Sequence, residues 1–148
     1  LRARVQKAVE VLKQQPGTLV DGTRIGAFGY CFGGSTVLEL VRAGDALSGV
    51  VSLHGGLATD LPAAGQVKSP VLVLNGGDDT YVSAAEITAF QDEMRKAGAD
   101  WQFVSFGGAA HCFAESDAQN PPGCVYHAPS ARRAYRMMAD FFEDVFAK

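Results

Sequence analysis

Hydrophobic and polar positions follow two spacings along this chain. Val5, Ala8, Val9 and Leu12 recur every three to four residues, as on one face of a helix, and Pro16-Gly17 ends that segment. Arg24–Tyr30 reads as a short strand. The mostly apolar stretch from Gly33 to Ala43 reads as a buried helix, with Gly44 as its C-terminal cap. Leu47–Leu53 and Pro70–Asn75 are apolar runs of strand length, the pattern of strands buried on both faces of a parallel sheet. Ser83 and Glu86 form a capping box before Ile87, Phe90 and Met94, in a helix ending at Gly98. Trp101–Phe106 is a further strand. Residues 107–129 have no period and read as loop. Ala134, Met138, Phe141, Phe142 and Val145 then share the inner face of a C-terminal helix.

Alternating helices and strands predict an α/β fold, a parallel sheet covered by helices. About four strands are legible, fewer than the ~5–6 of a typical sheet. The sheet is therefore small, or part of the domain is absent.

Composition narrows the class. The chain has 148 residues, 47% hydrophobic and 20% charged, with a net charge of −3. Such a chain collapses rather than staying disordered. It has no Lys/Arg stripe to neutralise phosphates, so it is not expected to bind nucleic acid. No apolar run reaches the ~18–20 residues of a membrane span. Three cysteines, an odd and low number, argue for a reducing, cytoplasmic setting, with Cys112 and Cys124 as free thiols.

Candidate chemistry begins at Gly29-Tyr30-Cys31-Phe32-Gly33-Gly34, between a strand and a helix. This is the G-x-C-x-G form of a nucleophile turn. Small residues at Gly29 and Gly33 let strand and helix approach. Cys31 would sit at a helix N-terminus, where the dipole and free N–H groups favour a thiolate. The Phe32 N–H would face a developing oxyanion. The plainer alternative is a glycine-rich turn with a buried Cys. The glycines from Gly26 run G-x-x-G-x-x-x-G-G, which is not a dinucleotide-binding fingerprint.

A hydrolase turn predicts an acid and a base later in the chain, each after a strand. Asp78-Asp79 follows the Pro70–Asn75 strand, and His111 follows the Trp101–Phe106 strand. His would take the thiol proton and a carboxylate would fix its tautomer. Each alone is explicable as a polar loop residue; three such residue types, in order, at strand ends are harder to explain as coincidence.

Gly29–Gly34, Ser52–Gly56, Val71–Val82 with its G-x-x-D-x-x-V register, and His111-Cys112-Phe113-Ala114 together resemble the dienelactone hydrolase family of α/β-hydrolases. The resemblance implies a three-layer α/β-hydrolase-type, mostly parallel sheet. It implies a Cys31–Asp79–His111 triad hydrolysing carboxylic esters or lactones without a cofactor. Members are longer, so this single domain is expected to lack the N-terminal strands. Its first strand would then present an open edge that invites a homodimer. Dienelactone-cleaving members place an Arg four residues after the catalytic His. Glu115 stands there in this chain, and it would repel an anionic lactone.

Tyr30 and Phe113 are candidate substrate contacts, with Tyr81 and Tyr126 also near the predicted site loops. His54 is expected to be structural. His111, Cys112, Cys124 and His127 could be drawn as a zinc set, but adjacent His111 and Cys112 make joint ligation awkward. No metal is expected.

Overall fold

The computed structural model describes residues 1–15 and 20–147, so the stop at Pro16-Gly17 lies outside the described residues. In chain order the elements are α1 (Arg2–Lys13), β1 (Gly26–Tyr30), α2 (Phe32–Arg42), β2 (Gly49–Leu53), β3 (Val71–Gly76), α3 (Ala84–Lys96) and β4 (Trp101–Phe106). A short ribbon, β5 (Gln119–Asn120) and β6 (Cys124–Val125), precedes α4 (Ala128–Phe146). The main sheet has the order β1-β2-β3-β4. All three of its pairings are parallel.

The apolar runs read from the sequence become its centre, since β2 and β3 are buried along their whole length. Successive side chains point to opposite faces. Val50, Val71 and Val73 pack with Leu38, Leu40, Phe90 and Met94 on the side covered by α1, α2 and α3. Val51, Leu53, Leu72 and Leu74 pack with Phe106, Phe113 and Ala134 on the side covered by α4. The result is three layers. Leu38, Leu53 and Leu74 are 0% exposed, so truncating any one to Ala costs about 2–5 kcal/mol.

Local signals set the helix ends. Ser83 Oγ accepts the Glu86 N–H while Glu86 reaches back to the Ser83 N–H, completing the capping box of α3. Past α2 the chain turns at Gly44 with φ 88°, a conformation that glycine adopts without penalty. The buried Arg42 ties the two helices together. Its guanidinium binds Glu39 at 3.0 Å and Glu93 at 2.9 Å, and donates to the Leu57 carbonyl at 2.7 Å.

Two expectations are corrected in the 107–129 region. It is not all loop, because the chain reverses at residues 121–123 and closes the β5–β6 ribbon. Nor are Cys112 and Cys124 free thiols. The reversal brings Cys124 back beside His111 in a bridge pairing, with the Cys112 and Cys124 α-carbons 4.9 Å apart and their sulfurs bonded. Cysteine usage therefore no longer argues for a reducing compartment. Among the described residues, no helix is long and apolar enough to cross a membrane.

β1 pairs with β2 alone among the described residues. Phe28 on that edge is 51% exposed and packs edge-on against Tyr30 and Phe142.

Candidate active site

The residue between β1 and α2 is Cys31, with φ 48° and ψ −119°. A non-glycine side chain held there costs about 1–3 kcal/mol of strain, which the surrounding packing must sustain. The sharp turn needs close backbone approach, though not where both flanking glycines were expected. A Cβ on Gly29 would collide with the Gly33 backbone, and one on Gly34 would lie 2.7 Å from Ser52 Oγ and 3.0 Å from the Gly55 α-carbon. A Cβ on Gly33 would meet open space. The steric demand therefore falls on Gly29 and Gly34.

Three loops converge on this turn, so that four segments meet, each at the C-terminal end of a sheet strand. They carry Cys31 after β1, His54 after β2, Asp79 after β3 and His111 after β4. Open parallel sheets gather functional groups at this rim. His111 Nδ1 lies 2.8 Å from Asp79 Oδ2. Asp79 Oδ1 accepts the Tyr81 N–H at 2.8 Å, which fixes the carboxylate from its other side. Asp79 is buried and its neighbour Asp78 is exposed. With Nδ1–H donating to Asp79, His111 keeps Nε2 as a free acceptor. Cys31, His54 and His111 offer donor atoms within 4.8 Å of one another. That spacing suits proton exchange, and the same three groups could hold a thiophilic cation.

The resting sulfur is engaged elsewhere. Cys31 Sγ donates to Glu115 Oε1 at 3.1 Å. It also lies 3.4 Å from His54 Nδ1 and 3.8 Å from Cys112 Sγ. Burial pushes the thiol up to about 12, helped by the hydrogen bond and charge of Glu115 and by the charge of Asp79. The helix N-terminus was expected to favour a thiolate; desolvation and the two carboxylates outweigh it, leaving a neutral thiol.

Glu115 and His54 are the residues that sequence reasoning undervalued. Glu115 was read as a substrate-repelling group in the pocket. The 112–115 turn, closed by the Glu115 N–H on the Cys112 carbonyl, also sets it against the Cys31 sulfur. Its position four residues after His111 was the available signal. His54 is 0% exposed, and its Nδ1 accepts the Cys31 N–H at 3.3 Å. Its Nε2 has no hydrogen-bond partner among the described residues and faces Glu115 Oε1 at 3.8 Å. Burial, reinforced by His111, holds its pKa down to about 4, so the ring is neutral at ordinary pH.

The remaining candidates divide. Phe32 opens α2, so its N–H has no acceptor within the helix, and its side chain is 71% exposed. Tyr30 is held beside the site, donating to Tyr135 Oη at 3.1 Å, with its ring 5.9 Å from that of His54. Burial raises its pKa. Phe113, expected to contact substrate, is 0% exposed and packs edge-on beneath His54; it supports the site from below. Tyr81 is exposed, with its ring 4.9 Å from His111. The zinc set drawn from the sequence loses both thiolates to the Cys112–Cys124 bond, and His127 Nδ1 pairs with Ser130 Oγ.

The model of the dienelactone hydrolase family matches residues 1–146. The chain belongs to that family. Among relatives, it is 32% identical to an uncharacterized Caenorhabditis elegans protein, over 99% of this chain and 95% of that one. It is 30% identical to a Yersinia pestis protein with the provisional name carboxymethylenebutenolidase, over 82% of this chain and 47% of that protein. Among solved structures, it superposes on m3DLH with TM-score 0.91 at 38% identity, covering 98% of this chain and 61% of that one. It superposes on P91, a dienelactone hydrolase-like promiscuous phosphotriesterase from metagenomic libraries, with TM-score 0.88 at 38% identity, covering 97% and 61%. This family member thus spans about half of the Yersinia relative and nearly all of the nematode one.

Proposed function

We propose that the protein hydrolyses uncharged carboxylic esters or lactones through a Cys31–His111–Asp79 triad. The observation that carries this reading is the 2.8 Å Asp79–His111 pair with the ring within reach of a sulfur on a strained strand-to-helix turn. His111 Nε2 takes the Cys31 proton as the sulfur attacks the carbonyl, and the Phe32 N–H stabilises the oxyanion. The leaving alkoxide takes that proton from His111. Water, deprotonated by the same ring, then hydrolyses the thioester and regenerates the thiol. Asp79 holds the tautomer throughout. Before attack the thiol must leave Glu115, whose charge disfavours anionic substrates beside it; that is why uncharged ones are proposed.

The test is turnover of a p-nitrophenyl ester by the chain as given. Loss of turnover in Cys31→Ala, with the fold retained by circular dichroism, supports the triad. Unchanged turnover refutes it. A second reading rests on coverage of only 61% of the m3DLH chain: a non-catalytic unit for folding or association through the β1 edge. Any Cys31-dependent turnover by this chain excludes that reading.

A further inference from the structure

The nucleophile has a neighbour that ester chemistry leaves unused. Cys31 Sγ lies 3.8 Å from Cys112 Sγ, and Cys112 is already bonded to Cys124. The two bridge sulfurs are not equivalent. Cys112 is 5% exposed, while Cys124 is partly open to solvent. A dissolved thiol therefore meets the Cys124 end, and the inner end is faced by Cys31. We propose that Cys31 and the Cys112–Cys124 bridge form an intramolecular thiol–disulfide exchange site, whose product is a Cys31–Cys112 bond with Cys124 released as a thiol.

The step balances without any added oxidant. The Cys31 thiolate attacks Cys112 Sγ, the Cys112–Cys124 bond breaks, and its electron pair leaves on Cys124. Cys124 takes up the proton that Cys31 gave away, so one disulfide exists before and after. Bond formation requires the sulfurs to close to ~2.05 Å, a movement of less than about 2 Å from their present separation. His54 Nδ1, 3.4 Å from the sulfur, already accepts the Cys31 N–H, so the thiol proton leaves to solvent base as the pH is raised.

Four titratable groups face Cys31. Glu115 holds its proton at 3.1 Å, Asp79 adds a second negative charge, and the His54 and His111 rings flank it. The two carboxylates and burial keep the sulfur protonated, so the exchange is held back at neutral pH. It opens when the thiol ionises or when Glu115 is displaced. That the product silences hydrolysis rests on Cys31 being the nucleophile; the exchange itself does not.

Linkage mapping on the native chain tests the proposal. The protein is incubated from pH 7 to pH 10, quenched with acid, alkylated with N-ethylmaleimide and digested. No Lys or Arg lies between Lys96 and Arg132, so trypsin leaves Cys112 and Cys124 on one peptide and Cys31 on another. A second cut after Glu115 separates Cys112 from Cys124. The expected result is a Cys31–Cys112 cross-linked peptide with alkylated Cys124. Its initial rate of formation should climb about tenfold per pH unit, following the thiolate fraction, with an earlier onset in Glu115→Gln.

Finding only the Cys112–Cys124 linkage at every pH, or a Cys31–Cys124 linkage, overturns the proposal. Cys124→Ser provides an independent arm. Mild diamide oxidation should link Cys31 to Cys112 and remove both from alkylation, reversibly with dithiothreitol; two thiols that stay separately labelled overturn the proposal equally. Ester turnover on the same samples keeps the two readings apart. A cross-link that forms without loss of turnover leaves the exchange standing and removes Cys31 as the nucleophile.

Discussion

The candidate site has two halves built on opposite principles. On one side, Asp79 and His111 form a satisfied pair: each carboxylate oxygen has a partner, at 2.8 Å in both cases. On the other, Cys31, Glu115 and His54 form a crowded, desolvated group. Its thiol is forced up to about 12, its imidazole is held down to about 4, and one ring nitrogen has no partner among the described residues. The first half is arranged to move a proton. The second is arranged to keep a sulfur from losing one. Under the proposed function both halves are needed, because a permanently ionised thiol would react with solutes other than a substrate.

The largest expected effect comes from disarming the proton-moving half. Asp79→Asn keeps the shape but no longer fixes the His111 tautomer, so ester turnover should fall by about 10³–10⁴-fold with the thermal midpoint little changed. A loss below tenfold would mean that His111 does not depend on this carboxylate.

A smaller effect belongs to the buried ring of the other half. Well above pH 6.5 His54 is neutral whether folded or unfolded, so it adds no pH dependence there. As pH falls toward 4 the unfolded chain gains a proton that the folded one refuses, and stability drops by about 3 kcal/mol. Urea unfolding at pH 7 and pH 4 should show this loss in the wild type and a reduced one in His54→Gln. Equal losses in both would place the acid sensitivity elsewhere.

The smallest effect sharpens the contrast most directly. Glu115→Gln removes the charge that holds the thiol proton, so iodoacetamide should label Cys31 faster at pH 8. Each unit of lowered pKa multiplies the thiolate tenfold but reduces its nucleophilicity, giving roughly threefold net, so a gain of several-fold to about tenfold is expected. An unchanged rate would show that burial and the Asp79 charge silence the sulfur without Glu115.

The chain pattern made one half of this contrast far more legible than the other. β2 and β3 were visible because strands inside a parallel sheet must be apolar, and Ser83 with Glu86 marked α3 because a capping box is a local device. Cys31 stood out in its glycine-flanked turn, and Asp79 and His111 because each follows a strand legible in the sequence. Glu115 acts through a tertiary contact created by a tight turn, which carries no period. Strands of two residues, as in β5 and β6, leave no alternation to detect. The Cys112–Cys124 bond joins residues 12 apart in a three-cysteine chain, where counting gives no pairing. His54 was placed correctly at a strand end, but its contact with Cys31 exists only once β1 and β2 lie side by side.

The parallel order of the sheet has a consequence for synthesis. Cys31 follows β1 whereas His111 and Glu115 both follow β4, so Cys31 leaves the ribosome long before them. A nascent chain ending near Lys96 would carry its thiol without the carboxylate that later holds the proton. During that interval the sulfur lacks its Glu115 contact, and only emergence of the segment bearing His111 and Glu115 takes it out of reach of stray electrophiles.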